Sequence, residues 1–276
     1  MKKRLTNLLL ILMLIVGVSL LLYPSVSDYW NSLHATRAIA SYVDAVAEMD
    51  DRQYDTYREE ARAYNASLLH KDNPYYMGEE EKALYDSLLD PRGDGLMGFV
   101  EIPRIKCSIP LYHGTEESVL QIALGHLDWT SLPVGGESSH CAVSGHRGLP
   151  SARLFTDLDQ LVVGDEFYLH ILDETLTYQV DQILVVEPHE TEALLIEEGM
   201  DLCTLVTCTP YGINSHRMLV RGHRIEGAAR PLTVRVTADA LQVEPLLVAC
   251  VVFVPVLLLF FLLSFIDDRI RKKRGF

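Results

Sequence analysis

Two uncharged apolar runs, one near each end of the 276-residue chain, limit what this protein can fold into. Residues 5–23 carry no charge and follow Lys2, Lys3 and Arg4; residues 246–266 are followed by Arg269, Arg271, Lys272, Lys273 and Arg274. Each run is long enough to cross a hydrocarbon core of about 30 Å as a helix. Pro255 in the second run is tolerable there, because neighbouring helices can satisfy the freed carbonyl. A cleaved signal peptide is the rival reading of the first run, but Tyr23-Pro24-Ser25-Val26-Ser27 makes a poor cleavage site, so an uncleaved anchor is expected. Both outer flanks are basic. The positive-inside bias then predicts a two-pass protein of the cell membrane, with both termini cytoplasmic and everything between the spans outside.

The charge follows the same division. Setting aside the eight basic and two acidic residues of segments 1–23 and 246–276 leaves 16 basic against 36 acidic residues, a net of −20 for the exported part. A surface this acidic repels phosphate backbones and argues against nucleic-acid binding. The five cysteines show no CxxC spacing, which argues against a zinc knuckle or any other metal site of that kind, and the set is too sparse for a disulfide framework. An exposed free thiol becomes a candidate nucleophile, whereas Cys141 and Cys203 are expected to be buried packing.

Residues 28–70 read as helical from the spacing of Leu33, Ile39, Val43 and Val46 and of Tyr57, Ala61, Tyr64 and Leu68, with Asp50-Asp51 offering a cap between two helices. A loop follows from His70 to Gly78, then a short acidic helix over 79–89 that ends at Asp90-Pro-Arg-Gly. After Gly95 the texture changes to short β-branched and aliphatic runs at 96–102, 108–111, 141–144, 166–172, 176–186, 202–207 and 218–225, separated by turn clusters. This predicts an antiparallel barrel or sandwich. The expected parts are an anchor (1–23), a helical appendage (24–95), a β-domain (96–228), a juxtamembrane segment (229–245), a second span (246–268) and a basic tail (269–276).

Cys208 ends a predicted buried strand and is followed at once by Thr209-Pro210, which cannot continue a central ladder. A thiol at a strand end can meet substrate, but at a pKa near 8.5 it needs a base or a positive charge to be a useful nucleophile. Among ten histidines, His146 has the most loaded context: a strand, Cys141-Ala-Val-Ser, then Gly145-His-Arg-Gly. Arg217 opens the strand after the Cys208 loop, where a guanidinium could donate to a developing oxyanion. By residue type and spacing alone these mark an exported β-domain with a thiol site.

Together these stretches resemble the sortases, and within them the class C, pilus-assembling group. Thr204-Leu-Val-Thr-Cys208 looks like the TLxTC signature, with Arg217 nine residues on; Ser144-Gly-His146-Arg-Gly looks like the segment around the family histidine. Leu132-Pro-Val-Gly-Gly-Glu-Ser-Ser-His, Leu154-Phe-Thr-Asp-Leu-Asp-Gln-Leu and the terminal membrane span look typical of class C. The resemblance covers roughly residues 96–266. It implies a mainly β fold, an eight-stranded barrel with the helical appendage and two terminal transmembrane helices. It also implies a cysteine transpeptidase without metal or organic cofactor, which cuts an LPxTG-like sorting signal between threonine and glycine. Cys208 would be the nucleophile, His146 the general acid and base, and Arg217 the group holding the substrate carbonyl and the oxyanion. Thr207 and Leu205 would contact substrate. The partners would be LPxTG-bearing pilin subunits, one of which offers an acceptor lysine amine. A cell-wall amine acceptor, or a non-catalytic tethered protein on the same scaffold, are the other readings. Class C members often carry a lid with an Asp-Pro-aromatic motif. Here Asn73-Pro74-Tyr75 follows Asp72, so the aspartate next to proline is missing; Asp72 could substitute by a shift of one residue, and Tyr75 could cover Cys208. Residues 72–77 also read as an ordinary connection between helices, and the sequence leaves both open.

Overall fold

The computed structural model describes residues 2–226; the expected juxtamembrane segment, second span and basic tail lie outside the described residues. Three helices precede the barrel: α1 (Lys2–Ala47), α2 (Asp51–Leu68) and α3 (Glu79–Ser87). The expected anchor and the start of the appendage share one helix. α1 runs unbroken through Pro24, which removes one backbone N–H from the helix ladder without stopping it. Within α1 the chain has a stretch long and apolar enough to cross a membrane, none of it buried in the protein. α2 starts where expected. The Asp50 side chain accepts from the Gln53 N–H, and the Gln53 side chain accepts from the Asp50 N–H, a reciprocal cap of two orphan donors.

Eight strands close into a barrel in the order β1 (Leu96–Ile102), β2 (Cys107–His113), β3 (Leu124–His126), β4 (Ser139–Ser144), β7 (Asp201–Thr209), β8 (His216–Arg224), β6 (Glu174–Val186) and β5 (Glu166–Ile171). Seven follow the runs read from the sequence; β3, only three residues, does not announce itself. The barrel is not wholly antiparallel. β2 pairs parallel with β3, and β4 pairs parallel with β7. A four-residue helix, α4 (Glu117–Leu120), sits between β2 and β3. The interior is filled by side chains such as Val100, Leu111, Leu124, Val143, Leu169 and Leu205, each fully buried, so the barrel is a packed core rather than a channel.

The helices dock by satisfied polar contacts as well as apolar ones. Asn65 of α2 is buried and treats Leu132 as a strand neighbour: its Nδ2 donates to the Leu132 carbonyl (3.0 Å), and its Oδ1 accepts from the Leu132 N–H (2.7 Å). A buried amide with both ends paired costs little to desolvate. Tyr42 of α1, fully buried, donates to the Met97 carbonyl and accepts from the Leu172 N–H, both at 2.8 Å. α3 inserts Tyr85, whose hydroxyl meets His126 Nδ1 at 2.9 Å.

Two buried imidazoles, His113 and His140, have their pKa lowered by burial and make stability pH-dependent; His140 is the more enclosed. His140 is enclosed on the outer side of β4; it faces the Leu195 carbonyl through Nδ1 (2.8 Å) and the Thr204 hydroxyl through Nε2 (2.7 Å). A carbonyl can only accept, so Nδ1 carries the proton. Burial lowers the His140 pKa below the ordinary 6.5. The folded protein therefore resists a proton that the unfolded chain takes up. The stability present above pH 6.5 is lost as pH falls toward the folded value. The thermal midpoint is expected to decrease between pH 7.5 and 5.5, with a shallower slope in His140→Asn; equal slopes would assign the effect to other groups.

Candidate active site

β7 and β8 pair antiparallel, and their register sets Cys208 directly opposite Arg217. β4 runs parallel beside β7, with Ser144 level with Val206, so the chain leaves β4 at Gly145-His146 close to where β7 reaches Cys208. Two bonds stitch that exit to β7: the Gly145 N–H donates to the Val206 carbonyl (3.0 Å), and the Thr207 hydroxyl donates to the Gly145 carbonyl (2.7 Å). The structure thus brings the thiol, the imidazole and the guanidinium to one end of the barrel, on three strand ends.

Gly145 is needed for close approach. A Cβ built there would lie 2.5 Å from Leu124 Cδ2 and 2.7 Å from Phe155 Cδ2, in the packed interior. Gly145→Ala is expected to cost about 1–3 kcal/mol by overpacking. It also pushes on the turn carrying His146, where misplacement by about 1 Å can cost about 10²-fold in rate. Thermal melts and kcat measured together check this; an unchanged kcat would show that the turn yields elsewhere.

Strand alternation sorts the rest. Cys208 shares the outward face of β7 with Val206 and Thr204. Thr207 and Leu205, expected at the substrate surface, point the other way: Leu205 is fully buried in the core, and Thr207 is buried with its hydroxyl spent on Gly145. The outward neighbours form an apolar layer instead. Ala142, Val206, Leu219 and Leu194 are buried together, with Trp129, Leu184 and Val186 against them, and Val186 lies level with Arg217. This layer leads along the sheet to the Cys208–Arg217 row. Its cover is pinned in place, since Leu195 is held by His140 and Glu197 by Arg221 (2.7 Å).

The 72–77 segment lies over that cover. The Tyr75 ring meets Trp129 edge-on at 5.0 Å, and its hydroxyl accepts from Thr191 (2.9 Å). Asn73 Oδ1 accepts from the Tyr75 N–H (3.1 Å), a local turn. Asp72 is exposed. Among the described residues no hydrogen bond or ion pair joins Asp72 or Asn73 to Arg217, which donates to the carbonyls of Asn214 (3.4 Å) and His216 (3.2 Å). A cavity of about 480 Å³ separates the base of this segment from the barrel, lined by Leu68, His70, Pro74, Trp129 and Leu195 among others.

The residues on this chain match the Sortase domain family over 100–225. Sortase C1 from Streptococcus agalactiae is 50% identical, with 70% of this chain and 100% of that one covered at a TM-score of 0.68. The chain belongs to the class C sortases. Sortase C from Streptococcus pneumoniae is 44% identical over 71% of this chain and all of that one (TM-score 0.62). A lid mutant of sortase A from Corynebacterium diphtheriae is 38% identical over 65% and 97% (TM-score 0.62).

A sortase is a cysteine transpeptidase, and the environments of this sortase's four described thiols are unequal. All four are free. Cys141 and Cys203 face each other across the β4–β7 ladder inside the core, and burial pushes the Cys203 thiol up. Burial also pushes Cys107 up to about 12. Cys208 alone combines partial exposure with a histidine turn and an arginine beside it. Two further residues beside this row, Glu117 and Arg147, were not singled out in the sequence. Glu117 Oε2 lies 3.7 Å from His146 Nε2. Arg147, its side chain only 9% exposed, donates to the Thr209 hydroxyl and the Thr156 carbonyl (3.3 Å each) and pairs with Asp159. It ties the residue after His146 to the residue after Cys208. The quoted motifs contain Arg147 and its partners Thr156, Asp159 and Thr209, but nothing in the sequence joins them.

Proposed function

We propose that this sortase polymerises pilins. The observation that carries the reading is the register of Cys208 against Arg217, with the His146 turn bonded to the same strand. The Cys208 thiolate attacks the threonine carbonyl of an LPxTG-like signal, and the oxyanion takes hydrogen bonds from the Arg217 guanidinium. His146 gives its proton to the departing glycine amine, leaving a thioester. A lysine amine of another pilin then attacks. His146 takes its proton, the Cys208–acyl bond breaks, and an isopeptide bond remains. The half-buried edge of the apolar layer, Leu184 and Val186 beside Arg217, would receive the leucine–proline end of the signal. The anchors, the outward orientation of the 96–228 domain and the use of 72–77 as a lid belong to the same proposal. Support for the lid comes from the position of Tyr75 on Trp129 above a cavity, and from a relative whose own lid has been altered.

The acceptor tests the reading. The enzyme is incubated with an LPxTG-like peptide, a pilin subunit and a cell-wall amine. A peptide–pilin isopeptide product is expected, and faster formation after deletion of 72–77. Transfer only to the cell-wall amine would replace pilin polymerisation with wall anchoring, and an unchanged rate after deletion would remove the lid.

A further inference from the structure

We propose that α1 docks the active site onto the lipid headgroup surface, with the loop after His146 held at the membrane boundary. This rests on the reading of α1 as a membrane anchor. The apolar stretch of α1 ends near Tyr23, and the helix continues without a break. Five residues on, Asp28 Oδ1 accepts from the Arg153 N–H (2.8 Å); eight residues on, Asn31 Nδ2 donates to the Ser151 carbonyl (2.8 Å). At 1.5 Å rise per residue these contacts stand only about 8 and 12 Å along the helix from Tyr23. Ser151 and Arg153 belong to the same loop as His146, whose carbonyl accepts from the Phe155 N–H (3.1 Å).

A second observation marks the same level as interfacial. Tyr23 and Trp30 are exposed, at 58% and 55%, on the stretch of α1 that carries Asp28. Exposed tyrosine and tryptophan at the end of an apolar span are the residues that settle among headgroups. The Arg153 side chain pairs with Asp157 through Nη2 (2.5 Å) yet is 71% exposed, so its remaining N–H groups are open to lipid phosphates.

The docking has two storeys, and that keeps the barrel from swinging away. Above the loop contacts, Ile39, Tyr42 and Val46 of α1 bury against Leu96 and Phe99 of β1, and the Tyr42 hydroxyl is bonded to Met97 and Leu172. A helix fixed at two heights cannot pivot about either. A substrate polypeptide tethered to the same bilayer by a short stem would meet Cys208 at this level, whereas one reacting far above the surface would not.

The test uses the full chain in liposomes containing headgroup-quencher lipids. A fluorescent amino acid replaces Arg153, which meets α1 at Asp28, or Asp44, about 24 Å further along the helix. Strong quenching at 153 and little at 44 is expected. Seven alanines inserted after Val26 add about 10 Å of helix while turning the face by only about 20°. They should bring quenching at 153 down to the level at 44. They should also slow turnover of a short-stemmed, lipid-tethered LPxTG-like peptide about tenfold, with a soluble peptide unaffected. Protein that floats with the liposomes but shows equal quenching at both positions would overturn the docking while leaving the anchor intact. Protein that fails to float would overturn both.

Discussion

Cys208→Ala is expected to abolish cleavage of an LPxTG-like peptide while leaving the thermal midpoint within about 2 °C of the parent. The asymmetry follows from where the residue sits. Cys208 is part-buried at the last turnout of β7, outside the core clusters that hold the barrel together. Removing its sulfur leaves no large cavity and no orphaned buried partner, the two features that make single substitutions costly. The chemistry has no substitute. Cys141 and Cys203 are enclosed and Cys107 is held protonated by burial, so no other described thiol can take over. The comparison requires peptide turnover followed by chromatography and a melt of the same preparation. Retained turnover would move the nucleophile elsewhere; a large loss of midpoint would make the inactivity a folding defect.

Arg217→Gln is expected to lower kcat by about 10²–10³, the cost of removing an oxyanion donor, with alkylation of Cys208 by a small electrophile little changed. The reason is again positional. Arg217 lies level with Cys208 across the β7–β8 ladder, and among the described residues its guanidinium bonds only the carbonyls of Asn214 and His216. Arg217→Lys keeps the charge but loses the fork that can hold a substrate carbonyl and the oxyanion together, so it should recover only a minor part. A kcat that survives Arg217→Gln with only KM raised would reduce Arg217 to substrate binding. A parallel fall in alkylation would make it an activator of the thiol.

Much of this arrangement is legible in the residues, and the limits are physical. Runs of β-branched residues mark strands because packing on a pleated surface favours them, and seven of the eight strands appear that way. Leu124-Gly-His126 does not, because three residues cannot show alternation; its pairing with β2 and β4 makes it a strand. The face of a strand is also hidden. Leu205 and Thr207 flank Val206 and differ from it only in parity, and parity acquires meaning only once the barrel interior is placed. The parallel β4–β7 pair, which brings His146 to Cys208, joins segments almost sixty residues apart with no local signal. Where the apolar stretch gives way to the appendage the residues show a change of polarity and a proline, yet α1 continues through Pro24 as one helix. Asp72 illustrates a smaller limit: the sequence offers it, one residue early, in place of the missing aspartate, and it lies exposed with no bond to Arg217 among the described residues.

The most direct measurement is mass spectrometry of the enzyme quenched in acid during turnover of an LPxTG-like peptide in the absence of an amine acceptor. The proteolytic fragment spanning Cys208 should carry the acyl portion ending in threonine, and hydroxylamine should release it as a hydroxamate. An adduct on another residue, or continuing turnover with Cys208 unmodified at every time point, would contradict nucleophilic catalysis by Cys208.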